Sequence, residues 1–184
     1  YSIVFSGRNK VSLDENFVSM QGNHVFLNVP LEEETIWLEC TNQSIPFGFL
    51  GDFTDDRDVL VVKPSGGEII HTPIYDELYN TVKTKGNIVM NGTGGILAEI
   101  EMESGGLQYN DRYVLERLSL GKQEGYYLDQ WKYLNGIGIK SCTFKNDKKK
   151  VLFKEELILT ISSFATKIGG KLLVPINPFN RYLK

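Results

Sequence analysis

The sequence predicts a mainly β protein of the α+β class, built from antiparallel strands with a two-helix insertion. Short runs rich in branched and aromatic residues recur between turn-forming residues, and residues 96–103 alternate cleanly between apolar and polar side chains. Residues 107–120 and 123–134 change instead to helical spacing. With 184 residues and 41% hydrophobic content, the chain is long enough to bury one or two small cores.

The first part of the chain is predicted to form an extended segment, a hairpin and one further strand. Residues 1–7 are extended, and their start on Tyr instead of Met suggests a fragment. The runs 24–30 and 35–41 flank the segment Leu-Glu-Glu-Glu, which is typical of a hairpin with a solvated turn. After an irregular aromatic loop at 45–51, residues 58–63 predict a short buried strand.

The chain is predicted to divide at Gly66-Gly67 into domains 1–66 and 67–184. The second domain is expected to be an antiparallel β-sandwich in which the two helices cover one end or face. Its predicted elements are strands around a turn at 91–95, helices near 107–120 and 123–134, strands at 137–144 and 151–162, and a last strand at 171–176. The aromatic residues of the second helix are interpreted as core residues.

Composition and charge exclude several classes of partner. A formal net charge of −3 without a basic stripe argues against nucleic-acid binding. No apolar run approaches the roughly 18 residues that a membrane span needs. Residues 55–58, Asp-Asp-Arg-Asp, predict a turn or an ion-pair cluster, and His71 is interpreted as an ordinary strand or linker residue. We therefore expect no metal and no cofactor, and two free thiols at Cys40 and Cys142.

The hairpin carries a histidine and a carboxylate that its geometry can bring together. A loop of two or four residues places His24 opposite Thr41, with Glu39 two residues along the same face. A loop of three or five residues would place the pair on opposite faces. With the even loop, Cys40 falls on the other face, which is predicted to be buried. That face carries Val25, Leu27, Val29, Ile36 and Leu38.

A histidine held by a carboxylate is the orienting half of a nucleophilic triad. The acid fixes the imidazole tautomer, and the imidazole activates a thiol or hydroxyl. The spacing alone favours a packing histidine and a solvated glutamate over a catalytic pair. The candidate catalytic residues are therefore His24 and Glu39, and the alternative gives both a structural role.

Beyond this pair, the chain resembles one branch of the transglutaminase-like (papain-type) cysteine enzymes. The members of that branch are multidomain envelope proteins. The residues that carry the resemblance are Asn23-His24-Val25, Val29-Pro30-Leu31, Thr35 to Gln43, Pro46 to Gly51, Phe53 to Arg57, Gly66-Gly67 and Thr72-Pro73. By this resemblance, residues 1–66 are the last strands of the catalytic core, and residues 67–184 are a β-rich accessory domain.

The resemblance implies that His24 is the triad histidine and that Glu39 replaces the usual aspartate. It implies acyl transfer or amide hydrolysis through a thioester, on a protein or peptide substrate, in the periplasm or cell envelope. The nucleophilic cysteine would stand on an upstream helix, and residues 1–23 contain none. The chain is thus expected to be a C-terminal fragment that is inactive alone. The alternative function is a non-enzymatic sandwich module that binds a protein or glycan.

Overall fold

The protein is mainly β, and a computed structural model describes residues 2–4, 6–19 and 21–180. Its strands form three antiparallel sheets, which confirms the predicted fold class. The chain forms two compact units. The first contains the residues up to Thr81 with Gly105–Asp111 and Asp147–Leu152, and the second contains Val82–Ser104, Arg112–Asn146 and the residues from Phe153 onward.

The first unit contains a five-stranded sheet. Its strands are β1 (Ser2–Val4), β2 (His24–Pro30), β3 (Thr35–Leu38), β4 (Asp58–Lys63) and β5 (Gly66–His71). They lie in the order β3-β2-β1-β4-β5, so β1 is central and pairs with both β2 and β4. The predicted hairpin is β2 and β3, and the predicted strand at 58–63 is β4.

One face of this sheet forms the core of the first unit. The buried residues of this core are Val4, Phe26, Trp37, Leu50, Val59 and Val61. The rings of Phe26 and Trp37 are 5.4 Å apart across β2 and β3. Burial of these two aromatic side chains makes the largest hydrophobic contribution to the stability of this hairpin, because each side chain buries about 150–250 Å² of surface.

The buried face of the hairpin is the opposite of the predicted one. Leu27 remains 43% exposed, whereas its neighbour Phe26 is 1% exposed. Cys40, which was predicted to be buried, is exposed. The prediction was wrong because both faces of the hairpin carry apolar residues, and the face with fewer but larger side chains packs against Leu50 and β4.

The loop between β3 and β4 is held in place by a buried arginine. Arg57 is fully buried, and its guanidinium donates to the carbonyl oxygens of Asp55 at 2.8 Å and Gly7 at 2.9 Å. The backbone N–H of Gly7 in turn donates to the carbonyl of Phe53 at 2.8 Å. These contacts fix the position of Phe53, whose ring lies beside the hairpin.

The strand β5 was not predicted, and it shifts the division of the chain. All of Gly66–His71 pairs with β4, from Lys63 opposite Gly66 to Asp58 opposite His71. The first unit therefore continues beyond the predicted boundary at Gly66, up to Thr81. A Gly-Gly pair usually indicates a turn or loop. Here Gly66 and Gly67 begin β5 immediately after the turn, so they do not separate two domains.

The second unit is built on a four-stranded sheet. Its elements are β6 (Val82–Met90), β7 (Ile96–Gly105), β8 (Ile137–Asp147) and β9 (Leu152–Ile161), with a small hairpin of β10 (Thr166–Ile168) and β11 (Lys171–Leu173). The order of the sheet is β6-β7-β9-β8. The predicted alternation in β7 is confirmed, since Ile96, Ala98, Ile100 and Met102 are buried and the residues between them face solvent.

The helical insertion lies where it was predicted, but its first helix is broken. It consists of α1 (Leu107–Asn110), a 3-10 turn (Tyr113–Arg117) and α2 (Leu120–Gln130). The buried residues Tyr109, Tyr113 and Leu115 do not share one face of a regular helix, so packing overrides the helical spacing. No helix among the described residues is long and apolar enough to cross a membrane.

The α2 helix covers a buried carboxylate on the sheet. Tyr127 and Trp131 are buried, which confirms the interpretation of these two aromatics as core. The Tyr127 hydroxyl donates to Glu155 Oε1 at 2.6 Å, and Arg112 lies 3.2 Å from the same oxygen. Burial raises the pKa of Glu155, and these two partners only partly offset it.

We expect substitutions at two adjacent positions of the hairpin to differ in their effect on stability, because one side chain lies on the buried face and the other on the exposed face. Phe26→Ala should lower the free energy of unfolding by about 3–5 kcal/mol because it leaves a cavity in the core. Leu27→Ala, on the open face, should cost less than about 1 kcal/mol. Urea denaturation of both variants measures this difference, and equal losses would contradict the assignment of the buried face.

Candidate functional site

The register of the hairpin is set by a turn of two residues, Glu32 and Glu33. The backbone N–H of Leu31 donates to the carbonyl of Glu34 at 2.7 Å, and the next pair is Pro30 opposite Thr35. This is one of the two even loops that the sequence allowed. Continued past the end of β3, the register places Thr41 opposite His24 and Glu39 on the same face as His24.

The structure brings His24 and Glu39 into direct contact. His24 Nε2 lies 2.8 Å from Glu39 Oε2, and the two side chains are 13% and 4% exposed. The other carboxylate oxygen accepts from the backbone N–H of Thr41 at 3.0 Å and from its hydroxyl at 2.6 Å. Glu39 is therefore held from both sides, and its orientation toward the imidazole is fixed.

The imidazole ring lies beside two aromatic rings. Phe26 stacks at 6.4 Å between ring centroids, and Phe53 meets the ring edge-on at 5.7 Å. Because a carboxylate only accepts, the proton of this contact belongs to His24 Nε2. Within residues 2–4, 6–19 and 21–180, Nδ1 has no hydrogen-bond partner. A neutral His24 thus presents the lone pair of Nδ1 as a base.

The electrostatics of Glu39 favour its ionised form. Burial would raise the pKa of Glu39, but the hydrogen bonds from Thr41 and from His24 outweigh it and lower that pKa below its usual range. Glu39 is consequently a carboxylate near neutral pH. An ionised acid beside His24 stabilises the imidazolium that forms when the ring accepts a proton.

Neither cysteine contacts this imidazole. The Sγ of Cys40 lies 3.4 Å from the carbonyl of Leu38, and the Sγ of Cys142 lies 3.4 Å from the amide oxygen of Gln123. Both are free thiols, as predicted. The candidate site in this chain therefore consists of a histidine and its orienting carboxylate.

A second histidine cluster was missed by the sequence analysis. His71 Nδ1 lies 2.7 Å from Asp58, and Nε2 lies 3.1 Å from Asp56. Lys10 Nζ lies 3.0 Å from both Asp56 and Asp55. The cluster arises because His71 and Asp58 are cross-strand partners in β4 and β5. Since β5 was not predicted, no sequence spacing could reveal it.

The chemistry of this second cluster is that of an ion-pair network. Two carboxylates can both accept from one imidazole only when both ring nitrogens are protonated. The hydrogen bond to Asp58, followed by that to Asp56, raises the pKa of His71 above its usual range. The residues at 55–58 thus form the predicted ion-pair cluster, and no group in the described part of the chain has the arrangement of a metal site.

A scan against protein-family models and searches of curated proteins and of solved structures found no match to this chain.

We expect Glu39 to make a pH-dependent contribution to stability. Because its folded pKa is lowered, this contribution is present above its unfolded pKa of about 4.3 and is lost as the pH falls through the folded value. Glu39→Gln should lower the free energy of unfolding by about 1–2 kcal/mol at pH 7, and by less at pH 3. Denaturation at both pH values tests this, with the exposed Glu34→Gln as a control that should change little.

We expect the NMR titration of His71 to give a pKa above that of an unperturbed histidine, because two carboxylates favour its imidazolium. Asp58→Asn should move that pKa downward, and Asp56→Asn should do so by less. The chain has two histidines, so His24→Ala assigns the signals. If His71 has the same pKa in the unmodified chain, in Asp58→Asn and in Asp56→Asn, this result would contradict its contact with both carboxylates.

Proposed function

We propose that this chain supplies the histidine base and the orienting acid of a transglutaminase-like cysteine enzyme. The thiol nucleophile would come from a segment outside this sequence. The observation that carries the proposal is the 2.8 Å contact of His24 Nε2 with the buried carboxylate of Glu39. It fixes the tautomer and leaves Nδ1 available, which is the arrangement that a thiol-activating histidine needs.

The two residues have separate tasks in the proposed reaction. Nδ1 of His24 takes the proton from the thiol, and the thiolate attacks the acyl carbon of an amide. The imidazolium, stabilised by Glu39, then gives that proton to the departing amine, which leaves a thioester. Water or a second amine attacks the thioester, completing hydrolysis or acyl transfer and regenerating the thiol. Aromatic packing by Phe26 and Phe53 limits rotation of the ring during both proton transfers.

A non-enzymatic interaction module is the competing function, and one observation favours it. Glu39 also closes the turn after β3 through its two hydrogen bonds from Thr41. A glutamate with this structural role needs no catalytic function, and the partly buried histidine would then serve only as its hydrogen-bond partner. The two functions differ in whether His24 changes the reactivity of a thiol.

The experiment measures the rate at which a thiol-reactive probe labels a longer protein that contains this chain and the proposed nucleophile. Cys40→Ser removes the exposed thiol of this chain from the background. His24→Ala should slow labelling and turnover at least about 100-fold, because general-base assistance is lost. Glu39→Gln should also slow both, with a smaller effect, because the imidazole keeps its place but loses its anionic partner.

The matched control is His71→Ala, which removes the other histidine of the chain and should leave the labelling rate unchanged. Circular dichroism of each variant verifies that the fold is retained. Equal labelling rates for the parent and His24→Ala would exclude the enzymatic function and favour the interaction module. Mapping the labelled peptide by mass spectrometry identifies the nucleophile.

A further inference from the structure

The outer edge of β3 carries backbone groups that pair with no other strand among the described residues. In a two-residue hairpin, hydrogen-bonded and non-hydrogen-bonded residue pairs alternate away from the turn. Leu31 and Glu34 form the hydrogen-bonded pair next to the turn, so Thr35 and Trp37 belong to non-hydrogen-bonded pairs. Their N–H and C=O groups therefore point away from β2. Since β3 is the last strand of its sheet, these groups face the open edge.

The strand at this edge is only four residues long, and it lacks the other common protections against strand pairing. Exposed edge strands are commonly blocked by lysine, proline or a bulge, and Thr35–Leu38 contains none of these. The opposite edge, β5, begins with two glycines and carries the Lys63–Glu68 ion pair across to β4. Of the two edges, β3 is the better template for another strand.

Apolar side chains continue from β2 to this edge on the open face of the sheet. Val25, Leu27 and Val29 of β2 are 49%, 43% and 38% exposed, and Ile36 and Leu38 of β3 lie on the same face. A strand added to β3 would place every second side chain beside Ile36 and Leu38. Apolar residues at those positions of the added strand would pack beside Ile36 and Leu38 and bury part of their exposed surface.

The negative charge of the hairpin indicates which end of an added strand should carry basic residues. Residues 22–43 contain four glutamates and no lysine or arginine. Glu32, Glu33 and Glu34 are exposed at the turn, and none of them forms an ion pair with a described residue. A partner with basic residues beside the turn is therefore complementary. A second copy pairing through β3 would instead bring two acidic hairpins together.

We propose that the outer edge of β3 binds an extended peptide that carries alternating apolar residues and a basic C-terminal end. The peptide runs antiparallel to β3, so that its C-terminal end lies beside Glu32, Glu33 and Glu34. Backbone hydrogen bonds to Thr35 and Trp37 provide affinity, and the side chains provide specificity. This binding surface is independent of whether His24 and Glu39 are catalytic.

The test uses synthetic peptides and the isotope-labelled chain. The probe is acetyl-Ser-Val-Thr-Val-Thr-Lys-Lys-amide, and two control peptides replace both lysines by glutamates or move them to the N-terminal end. Fluorescence anisotropy measures affinity, and NMR amide shifts locate the contact. The probe should bind at least about tenfold more tightly than either control, with shifts concentrated at Thr35–Leu38.

Variants of the hairpin complete the test. The double change Glu32→Lys and Glu33→Lys, at exposed turn positions, should reverse the preference so that the glutamate peptide binds more tightly. Thr35→Pro removes an outward N–H without removing a bond to β2, and it should weaken both peptides about tenfold. If Thr35→Pro fails to fold, N-methylation of the probe at the amides facing β3 tests the same hydrogen bonds.

Three results would overturn the proposal. The first is equal affinity of the unmodified chain for the lysine and glutamate peptides. The second is a set of amide shifts centred on β5. The third is a concentration-dependent dimer, detected by light scattering, whose interface is β3 and excludes the probe.

Discussion

The two-residue turn at Glu32 and Glu33 is the constraint on which the first unit depends. A slip of one residue in the register would turn every side chain of one strand to the other face. His24 and Glu39 would separate, and the paired rings of Phe26 and Trp37 would lose their common core. Burial of the two aromatics is worth several kcal/mol, whereas a hydrogen bond to a charged group contributes about 1.5–3 kcal/mol. The two-residue turn and the aromatic packing therefore specify the same register, and the His24–Glu39 contact follows from it.

The two histidines of the chain show how the surroundings decide what an imidazole can do. His71 is bound by carboxylates through both ring nitrogens, so it is held as an imidazolium and has no lone pair to offer. His24 is bound through one nitrogen, and its ring contacts Phe26 and Phe53. Only the second arrangement leaves a base. Two carboxylates make an ion-pair network, and one carboxylate with aromatic walls makes a candidate catalytic pair.

The sequence predicted the parts of this protein that local rules control, and it failed where distant strands decide. The hairpin register and the alternation in β7 follow from turn length and period two, and both could be predicted. The choice of the buried face could not, because Phe26 and Leu27 are both apolar and the answer depends on β4. The His71 cluster depends on the pairing of β5 with β4. That strand was not predicted, because Gly66-Gly67 was interpreted as the boundary between two domains. The break within the predicted first helix, after Asn110, depends on how Tyr113 and Leu115 pack.

The correction at Cys40 has a practical consequence. Its thiol is exposed on the residue that follows Glu39, whereas Cys142 is partly buried and its pKa is raised, chiefly by that burial and then by Glu124 and Glu155. Burial disfavours the reactive thiolate form of Cys142, whereas Cys40 is accessible to reagents in solution. A fluorophore attached at Cys40 would sit at the end of β3, on the hairpin that carries His24 and Glu39. The natural chain thus contains its own attachment point for a spectroscopic reporter of events at this hairpin.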